Sequence, residues 1–184
     1  RRRRLRARLV SSGDDAVEAA LRLCLVRWRR AHADRAAIPE VLVVGTDAAR
    51  GGWLLRGLPC EGLRWRVLLP SALKVGARAL EAALRPDPAR APPAALLLEP
   101  VCSQTGRTLS AARAVDLREA CAAVDVPIVS DETRCGLGRC GELFCAEALG
   151  IAPACTVLGE ALGSGYAAVG AVAFDRNAFG GVAT

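Results

Sequence analysis

Methionine is absent from this chain of 184 residues, and lysine, histidine and tyrosine each occur once. A chain without an initiator Met is expected to begin inside a longer protein. Aromatics make up 4% of residues, so surfaces for stacking single-stranded bases are scarce. No apolar run approaches the ~18 residues of a membrane-spanning helix. Neither nucleic acid nor a membrane is therefore expected as a partner. Paired CxxC spacings are missing as well. The eight cysteines, at 24, 60, 102, 121, 135, 140, 145 and 155, are scattered, and His32 stands alone. Cys135, Cys140 and Cys145 recur at steps of five, whereas paired zinc ligands favour gaps of two to four. No metal site is expected. Reduced thiols, partly buried, point to an intracellular protein, the cytoplasm being favoured over the mitochondrion.

The residues present are those of a folded protein. The chain is 52% hydrophobic and 24% charged, which excludes disorder. Its length fits one domain with a real core. Of the 25 basic residues only Lys74 is lysine, and the formal net charge is +6. Codon bias and solvated helix faces account for that charge. An anionic partner is the sharper alternative, supported by the run Arg1–Arg4. That run enters an apolar strand with no cleavage site between, unlike a targeting peptide.

Strand-like and helix-like periodicities alternate along the chain. Arg8–Val10 ends a short strand, Ser11–Asp15 supplies cap residues, and Ala16–Arg30 has helical apolar spacing. Val41–Val44 reads as a buried strand before a glycine-rich turn from Gly45 to Gly52, and Arg66–Leu69 as a weaker strand. Ser71 is expected to cap a helix running to Leu84, ahead of a proline-rich surface loop at Pro86–Pro93. Then come a strand at Ala94–Leu98, a helix from Ser110 to Val124 and a strand entered at Pro127–Ser130. A polar loop at Asp131–Gly141 leads to a short helix at Glu142–Leu149 and last strands at Thr156–Leu158 and Val169–Phe174. This alternation predicts an α/β fold with helices on both faces of the sheet. Three polar clusters fall at strand ends: Ser11–Asp15, Asp131–Gly141 and Gly159–Gly165. Ligands of such sheets sit beyond the carboxyl ends of the strands.

Four segments carry a resemblance. Residues 11–20, Ser-Ser-Gly-Asp-Asp-Ala-Val-Glu-Ala-Ala, are similar to Asn-Ser-Gly-Thr-Glu-Ala-Asn-Glu-Ala-Ala of the class III pyridoxal-phosphate aminotransferases. Leu98-Glu99-Pro100-Val101 resembles their Val-Glu-Pro-Val. Residues 131–141, Asp-Glu-Thr-Arg-Cys-Gly-Leu-Gly-Arg-Cys-Gly, resemble Asp-Glu-Val-Gln-Thr-Gly-Phe-Gly-Arg-Thr-Gly. Residues 158–166, Leu-Gly-Glu-Ala-Leu-Gly-Ser-Gly-Tyr, resemble Leu-Gly-Lys-Ala-Leu-Gly-Gly-Gly-Tyr. The ornithine and 4-aminobutyrate aminotransferases belong to this family.

The resemblance implies the large domain of the type I pyridoxal-phosphate transferases. Its sheet is seven-stranded and mostly parallel with one antiparallel strand, expected at Val169–Phe174. Residues 1–184 would form part of that cofactor-binding domain, without the family's N-terminal segment and C-terminal small domain. Amino-group transfer from an amino acid or amine to a keto acid is implied, with pyridoxal 5'-phosphate as cofactor and a homodimer as the full-length assembly.

Residue by residue, Ser12 and Gly13 would form the phosphate cradle at a helix start. Asp14 stands there in place of a hydroxyl; its carboxylate repels a phosphate but caps a helix well. Asp131 would pair with the pyridine nitrogen, and Arg134 replaces a Gln near the ring oxygen. Glu160 occupies the Schiff-base lysine position, and a carboxylate cannot form an imine. Lys74 lies in no family motif. Thr46–Gly52 lacks the family's stacking aromatic and His, and Gln104 stands where a substrate-handling Glu is expected. Trp28, Trp53 and Trp65 read as packing residues. The chain as given is therefore expected to be inactive in transamination. The alternatives are a non-catalytic partner or scaffold subunit, and a pyridoxamine-phosphate enzyme without the lysine.

Overall fold

Ala95, Leu96, Leu97 and Leu98 are all buried, which requires cover on both faces of the strand they form. The computed structural model provides it. It describes residues 5–32, 38–44, 64–68, 76–85, 87, 91–102 and 105–179. The seven strands are β1 (Leu5–Val10), β2 (Glu40–Val44), β3 (Arg64–Leu68), β4 (Ala95–Leu98), β5 (Ile128–Asp131), β6 (Cys155–Leu158) and β7 (Gly170–Asp175). They form one sheet in the order β1-β7-β6-β5-β4-β2-β3. Strand β7 runs antiparallel to both β1 and β6, and the other pairings are parallel. The antiparallel strand falls, within a residue, where the family resemblance places it.

Helix α1 (Gly13–Ala31) covers one face. Its buried residues, Ala16, Val17, Ala20, Leu21, Cys24, Leu25 and Trp28, follow the i, i+3, i+4 stripe of an amphipathic helix. Most of them pack on Val41, Ala95, Leu97, Val129, Val157 and Val172. Asp14 and Asp15 in its first turn and Arg29 and Arg30 in its last complement the helix dipole. Trp28 closes the far end, donating its indole N–H to the Pro92 carbonyl at 2.6 Å. Helices α2 (Ala77–Leu84) and α3 (Ala111–Ala123) cover the opposite face, over Leu42, Val44, Leu96, Leu98 and Ile128. Arg66 links three elements: its guanidinium bonds Glu40 of β2 and the Ala83 and Leu84 carbonyls that end α2.

Three sequence readings need correction. Helix α2 begins at Ala77 with Gly76 as its cap; Ser71 lies outside the described residues. The expected Glu142–Leu149 helix shrinks to α4 (Cys145–Ala148), because the Leu143 carbonyl is spent on the N–H of Leu137. The loop before β4 is not wholly superficial, since Pro93 is buried. A one-turn helix, α5 (Glu160–Gly163), and a 3₁₀ turn at Arg176–Phe179 were not foreseen. Arg1–Arg4, Thr46–Gly52, Trp53, Lys74 and Gln104 lie outside the described residues. Among the described residues, no helix is long and apolar enough to cross a membrane.

Candidate active site

The carboxyl ends of β1, β5 and β6 converge, because these strands are mutually parallel around the antiparallel β7. The three polar clusters predicted at strand ends line one open cavity of about 880 Å³. Ser11, Ser12, Gly13 and Asp14 come from the β1–α1 junction. Thr133, Arg134, Leu137 and Arg139 follow β5, and Glu160, Ala161, Ser164 and Gly165 follow β6.

Close backbone approach makes this convergence possible. A Cβ on Gly159 would stand 3.2 Å from the Gly13 Cα and 3.1 Å from the Thr133 Cβ. A Cβ on Gly170 would fall on the Ser12 carbonyl oxygen. Side chains at these positions would force the β1, β6 and β7 ends apart.

The Ser12 side chain accepts the Asp15 N–H at 3.1 Å, so its oxygen already caps α1. Asp14 is exposed at the helix start, and Glu160 is exposed as the first residue of α5. Both are on the cavity wall, facing the same space as Arg134 and Arg139. The charge lining is therefore mixed, two carboxylates and two guanidinium groups.

Asp131 is not on that wall. The residue is 4% exposed, and its Oδ1 accepts the Thr133 N–H at 3.1 Å and the Thr133 hydroxyl at 2.6 Å. Of the predicted site residues, Ser12, Gly13, Asp14, Arg134 and Glu160 meet around the cavity, and Asp131 is set behind Thr133. Sequence reasoning missed Thr133, although an Asp followed two residues later by a hydroxyl residue is a turn signal. It also missed Glu132, 2% exposed, which accepts the Cys145 N–H at 2.9 Å and the Ala146 N–H at 2.8 Å. No local pattern announces a cap supplied from so far along the chain.

Seven cysteines are described, all free; six are buried and Cys140 is exposed. Burial, then the charge of Glu132, pushes the Cys145 thiol up to about 11 and the Cys135 thiol higher still. Burial alone pushes Cys121 up to about 12. Thiols raised in this way stay protonated near neutral pH.

Comparison with known proteins decides the family. Residues 70–179 match the family model described as aminotransferase class-III. The chain belongs to the class III aminotransferases. An ornithine aminotransferase from Bacillus cereus is 35% identical over 103 residues, which are 55% of this chain and 25% of that relative. Aminotransferase PigE from Serratia is 30% identical over 162 residues, 88% of this chain and 18% of that protein. Among solved structures, an ornithine aminotransferase from Plasmodium yoelii superposes with a TM-score of 0.73 at 22% identity, covering 97% of this chain and 41% of its own. A PLP-bound amine transaminase from an uncultivated Pseudomonas species gives 0.74 at 22%, covering 96% and 45%. The class III chain described here thus spans less than half the length of the solved relatives it matches. The fold is that of the PLP-dependent aminotransferases, and family and fold imply pyridoxal phosphate as the cofactor.

The residues fit that cofactor in part. The N-terminus of α1 is the kind of place that attracts a phosphate, although its Asp15 N–H is already taken by Ser12, and a buried carboxylate stands at the end of β5. Two features do not fit. Asp14 puts a negative charge in the first turn of α1, where an anion would sit, and Glu160 offers no amine.

Proposed function

We propose that this class III chain is part of a pyridoxal-phosphate-binding large domain that cannot join the cofactor covalently and is inactive in transamination as it stands. One observation carries the reading: Glu160 lines the same cavity as Ser12, Gly13, Asp14 and Arg134. It holds the position where the resembling motif has lysine. By descent the substrates are an amino donor and a keto-acid acceptor, and the full-length assembly is a homodimer. When bound, the cofactor supplies an electron sink for the substrate's reacting carbon.

The roles left to this chain's residues are non-covalent. The α1 N-terminus and Arg134 would hold anionic groups, Arg134 by charge and α1 by its N–H groups. Thr133 fixes the Asp131 carboxylate through two hydrogen bonds to one oxygen. Glu160 could exchange a proton at the cavity wall but could not act as a nucleophile toward a carbonyl carbon.

The test is to incubate the protein with pyridoxal phosphate, reduce with borohydride and map the peptides. No label at position 160 and no specific label on Lys74 is the expected result. Stoichiometric labelling of Lys74 would overturn the reading. A parallel titration with pyridoxamine phosphate separates the alternatives. Saturable binding of that amine favours an enzyme working without the lysine, and absence of both ligands favours a scaffold subunit.

A further inference from the structure

We propose that Cys135, Cys140 and Cys145, with Glu132, form a site for one thiophilic metal ion of the Zn²⁺ class. The ligand atoms of Glu132, Cys135 and Cys145 all lie within 4.8 Å of one another, and all three residues are buried. Ligand atoms around one tetrahedral zinc stand roughly 3.5–3.8 Å apart, given Zn–S near 2.3 Å and Zn–O near 2.1 Å. Small rotamer adjustments would bring the three to that spacing. The Cys145 thiol also interacts electrostatically with the Cys140 thiol, which stands outside that close group of three. Cys140 is exposed; turned inward, it would complete the set as a fourth ligand and give the ion a way in from solvent.

The loop explains how ligands five residues apart come together. The Gly136 N–H bonds the Glu132 carbonyl at 3.0 Å, and the Leu137 N–H bonds the Leu143 carbonyl at 2.8 Å. Leu137, Gly138 and Gly141 all adopt positive φ, folding the segment back on itself. Cys145, at the start of α4, then reaches the end of β5, where its Sγ lies 3.2 Å from the Cys135 carbonyl oxygen. Cys135 Sγ lies 3.7 Å from Glu132 Oε2. Linear spacing argued against a metal here, because it cannot register a turn that closes between ligands.

The chemistry of the donors agrees. Thiolates select soft or borderline ions such as Zn²⁺. Glu132 Oε1 accepts from the Ala146 N–H and the Ser130 hydroxyl, while Oε2 accepts the Cys145 N–H and keeps its other lone pair, on the Cys135 side, for a cation. Cys135 and Cys140 both stand where the resembling motif has threonine. Binding needs no oxidant. Three S–H bonds break, three protons pass to solvent, and three Zn–S bonds form beside one Zn–O bond. The filled site has the net charge of a four-cysteine zinc site, a familiar structural type.

The experiment uses the chain reduced and stripped of metal by a chelator. Zn²⁺ is titrated against a chromophoric chelator, and Co²⁺ is added separately as a spectroscopic probe. One ion per chain is expected, with thiolate-to-cobalt charge-transfer absorption, tetrahedral visible bands and three protons released. The double variant Cys135→Thr/Cys140→Thr, which restores the motif's hydroxyls, should weaken binding by more than the ~10–100-fold that loss of an outer-shell partner costs. Cys140→Thr alone, at an exposed position, should weaken it at least ~10-fold. Cys24→Ala, on α1, should leave it unchanged. Failure of the reduced chain to bind one ion overturns the proposal. So does unchanged affinity in the Cys140→Thr variant, or a Cys135–Cys145 disulfide in the chain as isolated.

Discussion

Thr133 donates two hydrogen bonds to a single oxygen of Asp131, one from its backbone N–H at 3.1 Å and one from its hydroxyl at 2.6 Å. The resembling motif has valine at this position, so the hydroxyl bond is an addition of this chain. A hydrogen bond to a charged acceptor contributes about 1.5–3 kcal/mol. Thr133→Val keeps the shape and the backbone bond but removes the hydroxyl. It should lower stability by an amount in that range, read from denaturant midpoints, while Thr133→Ser should lower it less.

Glu132 caps α4 from the end of β5. Removing its carboxylate orphans two buried donors, the N–H groups of Cys145 and Ala146, each at a cost on the order of 1–3 kcal/mol. Glu132→Ala should destabilise the whole domain. Hydrogen exchange should show the loss of protection spreading from residues 145–146. A cost below about 1 kcal/mol would mean that water replaces the cap.

Glycine at 170 is a requirement of the β1–β7 junction. Gly170→Ala places a methyl group on the Ser12 carbonyl oxygen, and backbone on one side cannot yield as a side-chain tip can. Overpacking typically costs about 1–3 kcal/mol. This substitution should reach at least the upper part of that range in thermal melts, whereas Gly76→Ala, whose Cβ meets nothing within 4 Å, should not.

Alkaline pH should unfold the metal-free chain early. The Cys145 thiol is raised from about 9 to about 11, and Cys121 to about 12, chiefly by burial. Above pH 9 the unfolded chain binds fewer protons at these thiols than the folded one, so stability falls with rising pH. The melting temperature should be insensitive to these groups well below pH 9 and decline from pH 9 to about 12, the Cys145 share being lost by about 11. Cys121→Ala should flatten part of that decline.

Restoring lysine should not restore activity. Glu160→Lys returns the amine, and a positioned proton-transfer group contributes about 10²–10⁴-fold. Asp14 would still oppose a phosphate at the α1 start, and misplacement by ~1 Å alone can cost ~10²-fold. Glu160→Lys is expected to give no robust transfer to 2-oxoglutarate, tested with and without Asp14→Thr in a longer version of the chain. Strong turnover by the single variant would make Glu160 a recent lesion in a working site.

The α1 stripe, the capping serines Ser12 and Ser110 and the strand at Ala95–Leu98 were readable in the sequence because each depends on local periodicity or a local hydrogen bond. The antiparallel placement of β7 came from family resemblance, since an isolated apolar run carries no direction. The polar clusters of the cavity were legible as strand ends. The retreat of Asp131 behind Thr133 was not, because it depends on a rotamer. The α4 boundary failed for a similar reason: Glu142 and Leu143 have helical propensity, but the Leu137–Leu143 hydrogen bond overrides it. The thiol cluster was invisible because its closeness is a property of the loop.

The place of β7, between β1 and β6, also governs the order in which the sheet can be completed on the ribosome. Leu5–Val10 leaves the exit tunnel first among the described strands, yet its partner Gly170–Asp175 is made last. At ~5–20 residues per second, β1 waits on the order of ten seconds or more before that partner is made. Its sequence tolerates the wait: Arg6 and Arg8 alternate with Leu5, Ala7 and Leu9, and edge charges discourage pairing with a stranger. Two arginines on a strand paired this late fit that general defence of unpaired edges.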